Sequence, residues 1–167
     1  MSLPAPPASS PAVRKVMQGN RKVGTRPEVA LRSELHRRGL RFRKNAPIRT
    51  PLRLVRPDVV FTRRRLAVFV DGCFWHRCPQ HGTSPRTNSP YWSTKLDRNV
   101  ARDIATDEVL RAAGWSVVHV WEHVPAVQAA DVVAAYLADT DDRGPMSPSG
   151  PRSADPDVGE AQTTSSP

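Results

Sequence analysis

Three side chains that bind transition metals fall within nine residues of the chain, at Cys73, Cys78 and His81. Zinc takes thiolate and imidazole in a tetrahedral shell, and such short spacings let one loop wrap the ion. A disulfide between the two cysteines, or two unligated thiols, are the alternatives, and the neighbouring histidine favours a metal. The sequence therefore predicts a structural zinc site that needs a fourth ligand.

Three histidines could supply that fourth ligand: His76, His119 and His123. His119 lies inside a predicted buried strand, where a histidine packed in the core is the simpler interpretation. His123 follows the end of that strand, where a side chain can reach a neighbouring loop. We predict His123 as the ligand and keep His76 as the alternative, because spacing alone does not decide between them.

Two carboxylates flank a predicted hairpin, with Asp58 opening its first strand and Asp71 ending its second. This places both acids at one edge of a sheet, the PD…(D/E)xK layout in which acids hold Mg²⁺ against a scissile phosphate. Pro-Asp is also a common turn dipeptide. The lysine of that layout is replaced by Cys73. A nearby histidine that titrates near neutrality, His76, is then predicted to accept the proton of the attacking water.

Glu28 has two possible roles that the sequence does not separate. In Thr25-Arg26-Pro27-Glu28 it is the third residue of a capping box, whose carboxylate can bond the backbone at the helix start. A helix N-terminus is also where an acid could face a metal and orient its water.

The elements that must position these residues follow from apolar periodicity and turn signals. The fold class is α/β (or an α+β sandwich), with a small mixed sheet flanked by helices. The first predicted elements are a helix from Thr25 to Gly39 with Ala30, Leu31 and Leu35 inward, an extended segment at Phe42, and strands at 57–61 and 66–70. They are followed by a helix at about 95–113, a strand at 115–121 and a helix at 126–137. The apolar residues of the helix at 95–113 are Leu96, Val100, Ile104 and Leu110.

Charge and composition divide the 167 residues into three parts. Residues 1–12 and 141–167 are rich in Pro, Ser and Gly and are predicted to be disordered tails around a folded unit at 13–140. Residues 1–56 hold fourteen Lys and Arg against two Glu, which favours binding of a polyanion, although a solvated arginine-rich surface is the alternative. No apolar run approaches membrane-spanning length, so we expect a cytoplasmic, nucleoid-associated protein.

Five stretches of the chain, covering about residues 13–125, resemble the very-short-patch-repair (Vsr) family of mismatch endonucleases. They are TRPEVALRSELHRRGLRFR, RPDVVF, VFVDGCFWHRCPQHG, YWSTKLDRNVARD and LRAAGWSVVHVWEH. The resemblance implies a restriction-endonuclease-like fold with a structural zinc. It also implies nicking of one strand 5′ of the T in a T:G mismatch produced by deamination of 5-methylcytosine.

The resemblance assigns roles to individual positions. Asp58 and the backbone carbonyl of Val70 would hold Mg²⁺, His76 would be the catalytic histidine with Asp103 orienting or partnering it, and Glu28 would be the helix glutamate of the active site. The zinc positions would be Cys73, Cys78, His81 and His123.

The resemblance also implies how the chain holds its substrate, double-stranded DNA with a T:G mismatch. Phe74, Trp75 and Trp92 would wedge into the base stack where pairing is already weak, although core packing is the usual fate of such residues. A basic N-terminal arm at 13–26 would clasp the DNA, through Arg14, Lys15, Arg21 and Lys22. The chain would act as a monomer, with mismatch-repair proteins and a cytosine-5 methyltransferase as functional associates.

The chain departs from the family at two points. Val70-Asp71 stands where some members have threonine and histidine, so Asp71 could be a second metal ligand, and the zinc loop reads Cys-Pro-x-His. Two rival functions follow: a restriction or defence nuclease of the same fold without mismatch preference, and a zinc-containing DNA-binding module without catalysis.

Overall fold

The computed structural model describes residue 11 and residues 24–83 and 87–142. Within these ranges no helix is long and apolar enough to cross a membrane. In chain order the described elements are α1 (Arg26–Arg37), β1 (Arg43–Lys44), β2 (Ile48–Arg49), β3 (Leu54–Val55), β4 (Val59–Phe61), β5 (Leu66–Asp71), α2 (Ser89–Ala112), β6 (Ser116–Trp121) and α3 (Ala126–Asp142).

A four-stranded mixed sheet in the order β1-β4-β5-β6 forms the centre of the fold. β1, β4 and β5 pair antiparallel, which confirms the predicted hairpin, and β6 pairs parallel to β5 over its whole length. A parallel pair needs a long crossover, and here residues 72–115 with α2 provide it. The end of β5, the end of β6 and the start of β4 therefore meet at one edge of the sheet.

The two faces of the sheet pack against different helices because successive strand residues point to opposite faces. On one face Val59, Leu66 and Val68 join Leu31 and Leu35 of α1, together with α3. On the other face Val60 and Ala67 join Leu110 of α2 and the β2–β3 hairpin. The central strand is thus covered on both sides, as its continuous apolar run predicts.

Several boundaries differ from those predicted. α2 begins at Ser89 rather than near Lys95, with Pro90 in its first turn, where proline is tolerated. β6 begins at Ser116, because the Trp115 amide instead bonds the carbonyl of Leu110 at the end of α2. α3 extends to Asp142. The β2–β3 hairpin was not predicted, since strands of two residues carry no readable alternation.

Two apolar helical residues, one of them predicted to face inward, lie on the surface. Ala30 of α1 is exposed, and Ile104 of α2 is 56% exposed. Both lie on helices whose buried faces are narrower than the apolar pattern, so periodicity overstates the core-facing stripe.

Glu34 ties α1 to α3 through two arginines. Its carboxylate accepts hydrogen bonds from Arg37 and from Arg38 at 2.6–2.9 Å, and Arg38 also donates to Asp131 of α3 at 2.7 Å. The hydrogen bonds from Arg37, and then the one from Arg38, lower the pKa of Glu34 from 4.5 to about 2. The stabilisation that follows is fully present above pH 4.5 and is lost as the pH falls through about 2.

Glu34→Gln is therefore expected to lower the Tm at pH 7, with the difference from the unsubstituted protein narrowing as the pH falls below 4.5. Thermal denaturation followed by circular dichroism across this range measures it. Glu108→Gln, on the exposed side of α2, is the matched control and should leave the Tm unchanged. Equal Tm values at pH 7, or a difference that does not change with pH, would contradict the assignment.

Candidate active site

Two carboxylates lie where the sequence places them, at the sheet edge formed by β4 and β5. Asp58 directly precedes β4, and its Oδ2 accepts a hydrogen bond from the Val70 amide at 2.8 Å. Asp71 ends β5 and is only 8% exposed. The antiparallel pairing of the two strands is what brings residues thirteen positions apart in sequence to one edge.

Asp58 lies close to two other acids, Glu28 and Asp71, and the three together are called the acidic pocket below. Burial above all, and then the charges of Glu28 and Asp71, raise the pKa of Asp58 to about 6, against the opposing effects of the hydrogen bond from Val70 and the charge of Arg32. Carboxylates held together with little water are destabilised unless a cation joins them. Oxygen donors of this kind suit Mg²⁺, so the residues present fit the predicted ion.

Glu28 serves the helix start and the acidic pocket at once. Its carboxylate accepts hydrogen bonds from the Gly24 amide at 2.8 Å and the Thr25 hydroxyl at 3.0 Å, and Arg32 lies 3.3 Å away. The capping contacts thus go to Gly24 and the Thr25 side chain rather than to the Thr25 amide. Glu28 is nevertheless 5% exposed and close enough to Asp58 to raise its pKa.

His76 is held by a carboxylate on the following helix. Its Nδ1 lies 2.6 Å from Oδ2 of Asp103 and 4.0 Å from Oδ1 of Asp71. A histidine whose Nδ1 is bonded to a carboxylate presents Nε2 as the acceptor of a proton, which is the arrangement that a general base requires. This contact also removes His76 from the set of residues that could complete the metal cluster below.

A second site lies beside the first, on the loop after β5. The ligand atoms of four side chains lie within 4.8 Å of one another and could hold a metal ion: Cys73, Cys78, His81 and His123. Cys73 Sγ is 3.0 Å from Nδ1 of His123, and both cysteines are free thiols. The His123 position follows from the parallel pairing, because the ends of β5 and β6 lie side by side.

Burial favours the neutral form of the Cys73 thiol as long as no cation is bound. Burial, followed by the contact with Cys78, raises the pKa of Cys73 to about 11. A metal bound by thiolates reverses that shift, which couples binding of the ion to the order of the loop.

Four aromatic rings lie together at the loop that carries Cys73 and Cys78. Phe74 contacts Trp75 and Trp92 edge to face, with centroids 5.0 and 5.6 Å apart, and Tyr91 lies against Trp92. Phe74 and Trp75 are half-buried, as their loop position suggests, whereas Trp92 is 9% exposed and more buried than we expected. None of the three belongs to the two hydrophobic clusters that cover the sheet.

Other predicted contacts with DNA cannot be placed. Arg14, Lys15, Arg21 and Lys22 lie outside the described residues. The arm at 13–26 is described only from Gly24.

Comparison with known proteins relates the chain to a group of DNA endonucleases. The sequence model of the family described as DNA mismatch endonuclease Vsr matches residues 9–81. The type II nicking enzyme V.NaeI of Lentzea aerocolonigenes is 53% identical over 122 residues, which are 72% of this chain and 72% of that protein. The chain belongs to the Vsr family.

Two further relatives are also similar to this chain. The type II nicking enzyme V.XorIIP of Xanthomonas oryzae pv. oryzae is 45% identical over 114 residues, 65% of this chain and 78% of that protein. The DNA mismatch endonuclease Vsr of Escherichia coli K12 is 39% identical over 69 residues, 40% of this chain and 44% of that protein. The Vsr-family chain is a DNA endonuclease, which confirms the predicted enzyme class and excludes the non-catalytic DNA-binding module.

Membership in the Vsr family implies a nuclease fold, in agreement with the mixed sheet and flanking helices described above. The matched residues 9–81 include Glu28, Asp58 and His76 but end before the segment that supplies Trp92, Asp103 and His123. The structure places these three residues beside the acidic pocket, through the contacts described above.

Two residues next to the site were missed or misread from the sequence. Lys95 was assigned no role, yet its Nζ lies 5.2 Å from the ring centroid of Trp92 and 5.6 Å from that of Trp75. The spacing of three residues from Trp92 on one helix could have revealed this contact. His119 was interpreted as a core histidine, which is wrong: its side chain is 31% exposed, and its two ring nitrogens contact the carboxylates of Asp71 and Asp107.

Proposed function

We propose that this Vsr-family endonuclease nicks one strand of double-stranded DNA 5′ of the T in a T:G mismatch, by Mg²⁺-dependent hydrolysis of the phosphodiester. The observation that carries the proposal is the juxtaposition of the acidic pocket around Asp58 with the His76–Asp103 pair. A metal-binding acid and a general base at one sheet edge are what a metal-assisted attack of water on phosphate needs.

Asp58 would bind the catalytic ion, with the backbone carbonyl of Val70 beside it and Glu28 orienting water from the start of α1. When bound, Mg²⁺ would neutralise charge that develops on the phosphate. His76 would take the proton from the attacking water, directly or through a second water, while Asp103 holds the imidazole in the required tautomer. The products would carry 5′-phosphate and 3′-hydroxyl ends.

The four-residue Cys/His cluster would hold a structural Zn²⁺. Two thiolates and two imidazoles make a closed tetrahedral set with no open position, which is typical of structural rather than catalytic zinc. The ion would fix the loop between Cys73 and Cys78, and with it His76 and two of the aromatic rings.

The aromatic cluster would recognise the mismatch. Phe74 and Trp75 are half-buried and lie against Trp92, so flat apolar groups are already stacked together before DNA binds. Unstacking costs least at a weakened base pair, so insertion would favour a mismatch over a matched duplex. The enzyme would act as a monomer on cytoplasmic DNA, alongside a cytosine-5 methyltransferase and mismatch-repair proteins.

Nicking without mismatch preference is the competing function, and one observation favours it. V.NaeI and V.XorIIP both carry the name type II nicking enzyme, which does not mention a mismatch. This would make the chain a restriction or defence nuclease of the same fold.

A panel of duplexes decides between the two functions. In Mg²⁺, we expect T:G duplexes with varied flanking bases to be nicked roughly 10- to 100-fold faster than the matched duplexes. Labelled strands on denaturing gels give the rate and the position of the nick. Equal rates on matched and mismatched DNA would reject mismatch repair in favour of the competing function.

A variant pair tests the aromatic cluster in the same assay. Trp75→Leu should reduce the ratio of nicking rates on T:G and matched duplexes, because the wedge then loses the larger of its two half-buried rings. Trp115 directly precedes β6, at the end of the strand away from the site. Trp115→Leu is therefore the matched control and should leave the preference for T:G unchanged. An unchanged preference in Trp75→Leu would contradict the wedge.

A further inference from the structure

Five side chains form a row beside the acidic pocket, and two of them, His119 and Asp107, have no part in the proposed reaction. Asp103 lies 2.6 Å from His76, and His76 lies 4.0 Å from Oδ1 of Asp71. The other oxygen of Asp71, Oδ2, is 2.6 Å from Nδ1 of His119. His119 Nε2 is in turn 2.9 Å from Oδ1 of Asp107.

The fold sets this row through one helix and two strands. Asp103 and Asp107 are four residues apart on α2, so they lie one turn apart on the same face, and each contacts one histidine. On the sheet, His119 of β6 is the register partner of Phe69 of β5, and their rings stack with centroids 5.2 Å apart. The stacking and the two carboxylates together fix the orientation of the His119 ring.

Both ring nitrogens of His119 face carboxylate oxygens, so each must carry a proton to donate. The hydrogen bond to Asp71, then that to Asp107, raises the pKa of His119 to about 9, against the effect of burial. With both ring nitrogens bonded to carboxylates, the imidazole has no free nitrogen with which to act as a base. A direct proton-transfer role for His119 is excluded by this geometry.

We propose that His119, anchored by Asp107, is a positioning residue of the nuclease site that acts through Asp71. By binding Oδ2, it holds the Asp71 carboxylate so that Oδ1 points toward His76. Without this bond, the carboxylate could rotate about its side chain and the spacing between Asp71 and His76 would no longer be fixed. This inference rests on the proposed hydrolysis by His76 and the neighbouring acids, and adds a second histidine to the groups on which that reaction depends.

A merely structural role would also explain a bond between β6 and α2, so the test must separate the two. If His119 only fastens the helix to the sheet, its loss lowers the Tm and leaves the nicking rate of the folded protein unchanged. If it positions Asp71, its loss lowers the single-turnover rate constant while DNA affinity stays the same. The effect should then also depend on Asp71 being present.

The experiment compares single-turnover nicking in Mg²⁺, DNA binding and Tm for His119→Leu, His119→Asn and the control His36→Leu. We expect His119→Leu to slow nicking by roughly 10- to 100-fold, as for loss of other outer-shell partners, with DNA affinity unchanged within about twofold. His119→Asn should recover much of the rate, because its amide can replace the Nδ1 donor to Asp71. His36 stacks on Phe42 at the far end of α1, and its replacement should leave the rate unchanged.

The Asp71→Ala background completes the test. If His119 acts through Asp71, the Asp71→Ala/His119→Leu double variant should nick at the rate of Asp71→Ala alone. A full additional loss in the double variant, or a normal rate in folded His119→Leu, would overturn the inference while leaving the proposed function intact. Should His119→Leu not fold, Asp107→Asn and His119→Asn carry the same comparison, with a smaller loss expected. If the unsubstituted protein does not nick DNA at all, the proposed function fails and this inference fails with it.

Discussion

Asp58→Asn is expected to lower the rate of DNA nicking by roughly 10³-fold or more, while the protein stays folded and binds DNA with unchanged affinity. Asp58 accepts a hydrogen bond from the Val70 amide of the neighbouring strand and lies close to the charges of Glu28 and Asp71. Asparagine keeps the size and the acceptor oxygen but loses the charge that would bind the metal.

The same substitution should not reduce stability in the absence of divalent metal. Burial and the two neighbouring acids raise the pKa of Asp58 to about 6, so its charge at pH 7 opposes folding until a cation is bound. The Tm of Asp58→Asn without metal should therefore be no lower than that of the unsubstituted protein. Added Mg²⁺ should raise the Tm of the unsubstituted protein and have little effect on the variant.

Nicking assays, DNA binding and thermal denaturation with and without Mg²⁺ measure these effects. Asp139→Asn on the exposed side of α3 is the matched control for loss of one negative charge. Retention of nicking by Asp58→Asn would place the metal elsewhere. A large fall in its metal-free Tm would mean that the carboxylate is structural.

Removal of the metal proposed for the Cys/His cluster is the second change with a large expected effect. Cys78→Ser should lose bound zinc, lower the Tm and reduce nicking by roughly 100-fold or more, because structural zinc contributes directly to folding. The cluster joins the loop after β5 to His123 after β6, and His76 lies on that loop between Cys73 and Cys78. Loss of the ion therefore frees the proposed general base.

Metal analysis of the purified protein should find about one zinc per chain, the stoichiometry of a closed four-ligand site. His81→Asn should give a smaller loss of zinc, because it removes one of the two exposed ligands and leaves both buried thiols. His36→Asn, which alters a histidine outside the cluster, is the control. A metal-free protein that nicks DNA at the normal rate would contradict a structural role for this cluster.

Local sequence signals determined much of this molecule. The two apolar runs around Asp58 and Asp71 predicted the central hairpin, since a continuous apolar strand must be covered on both faces. Three members of the metal cluster were readable from their spacing, because one short loop holds them whatever the rest of the chain does. Glu28 was placed at a helix start by its capping box, and the structure adds a position beside Asp58.

Only the tertiary structure decided how distant segments meet at the site. Whether His76 or His123 joins the cysteines depends on the parallel pairing of β5 with β6, which sets the two strand ends side by side. His119 looked like a core residue because strand periodicity specifies a face but not what packs on it. Its partner Asp107 lies on α2, within the crossover between β5 and β6. Local patterns give the periodicity of each element, but the rotation of α2 against the sheet depends on how the two pack together.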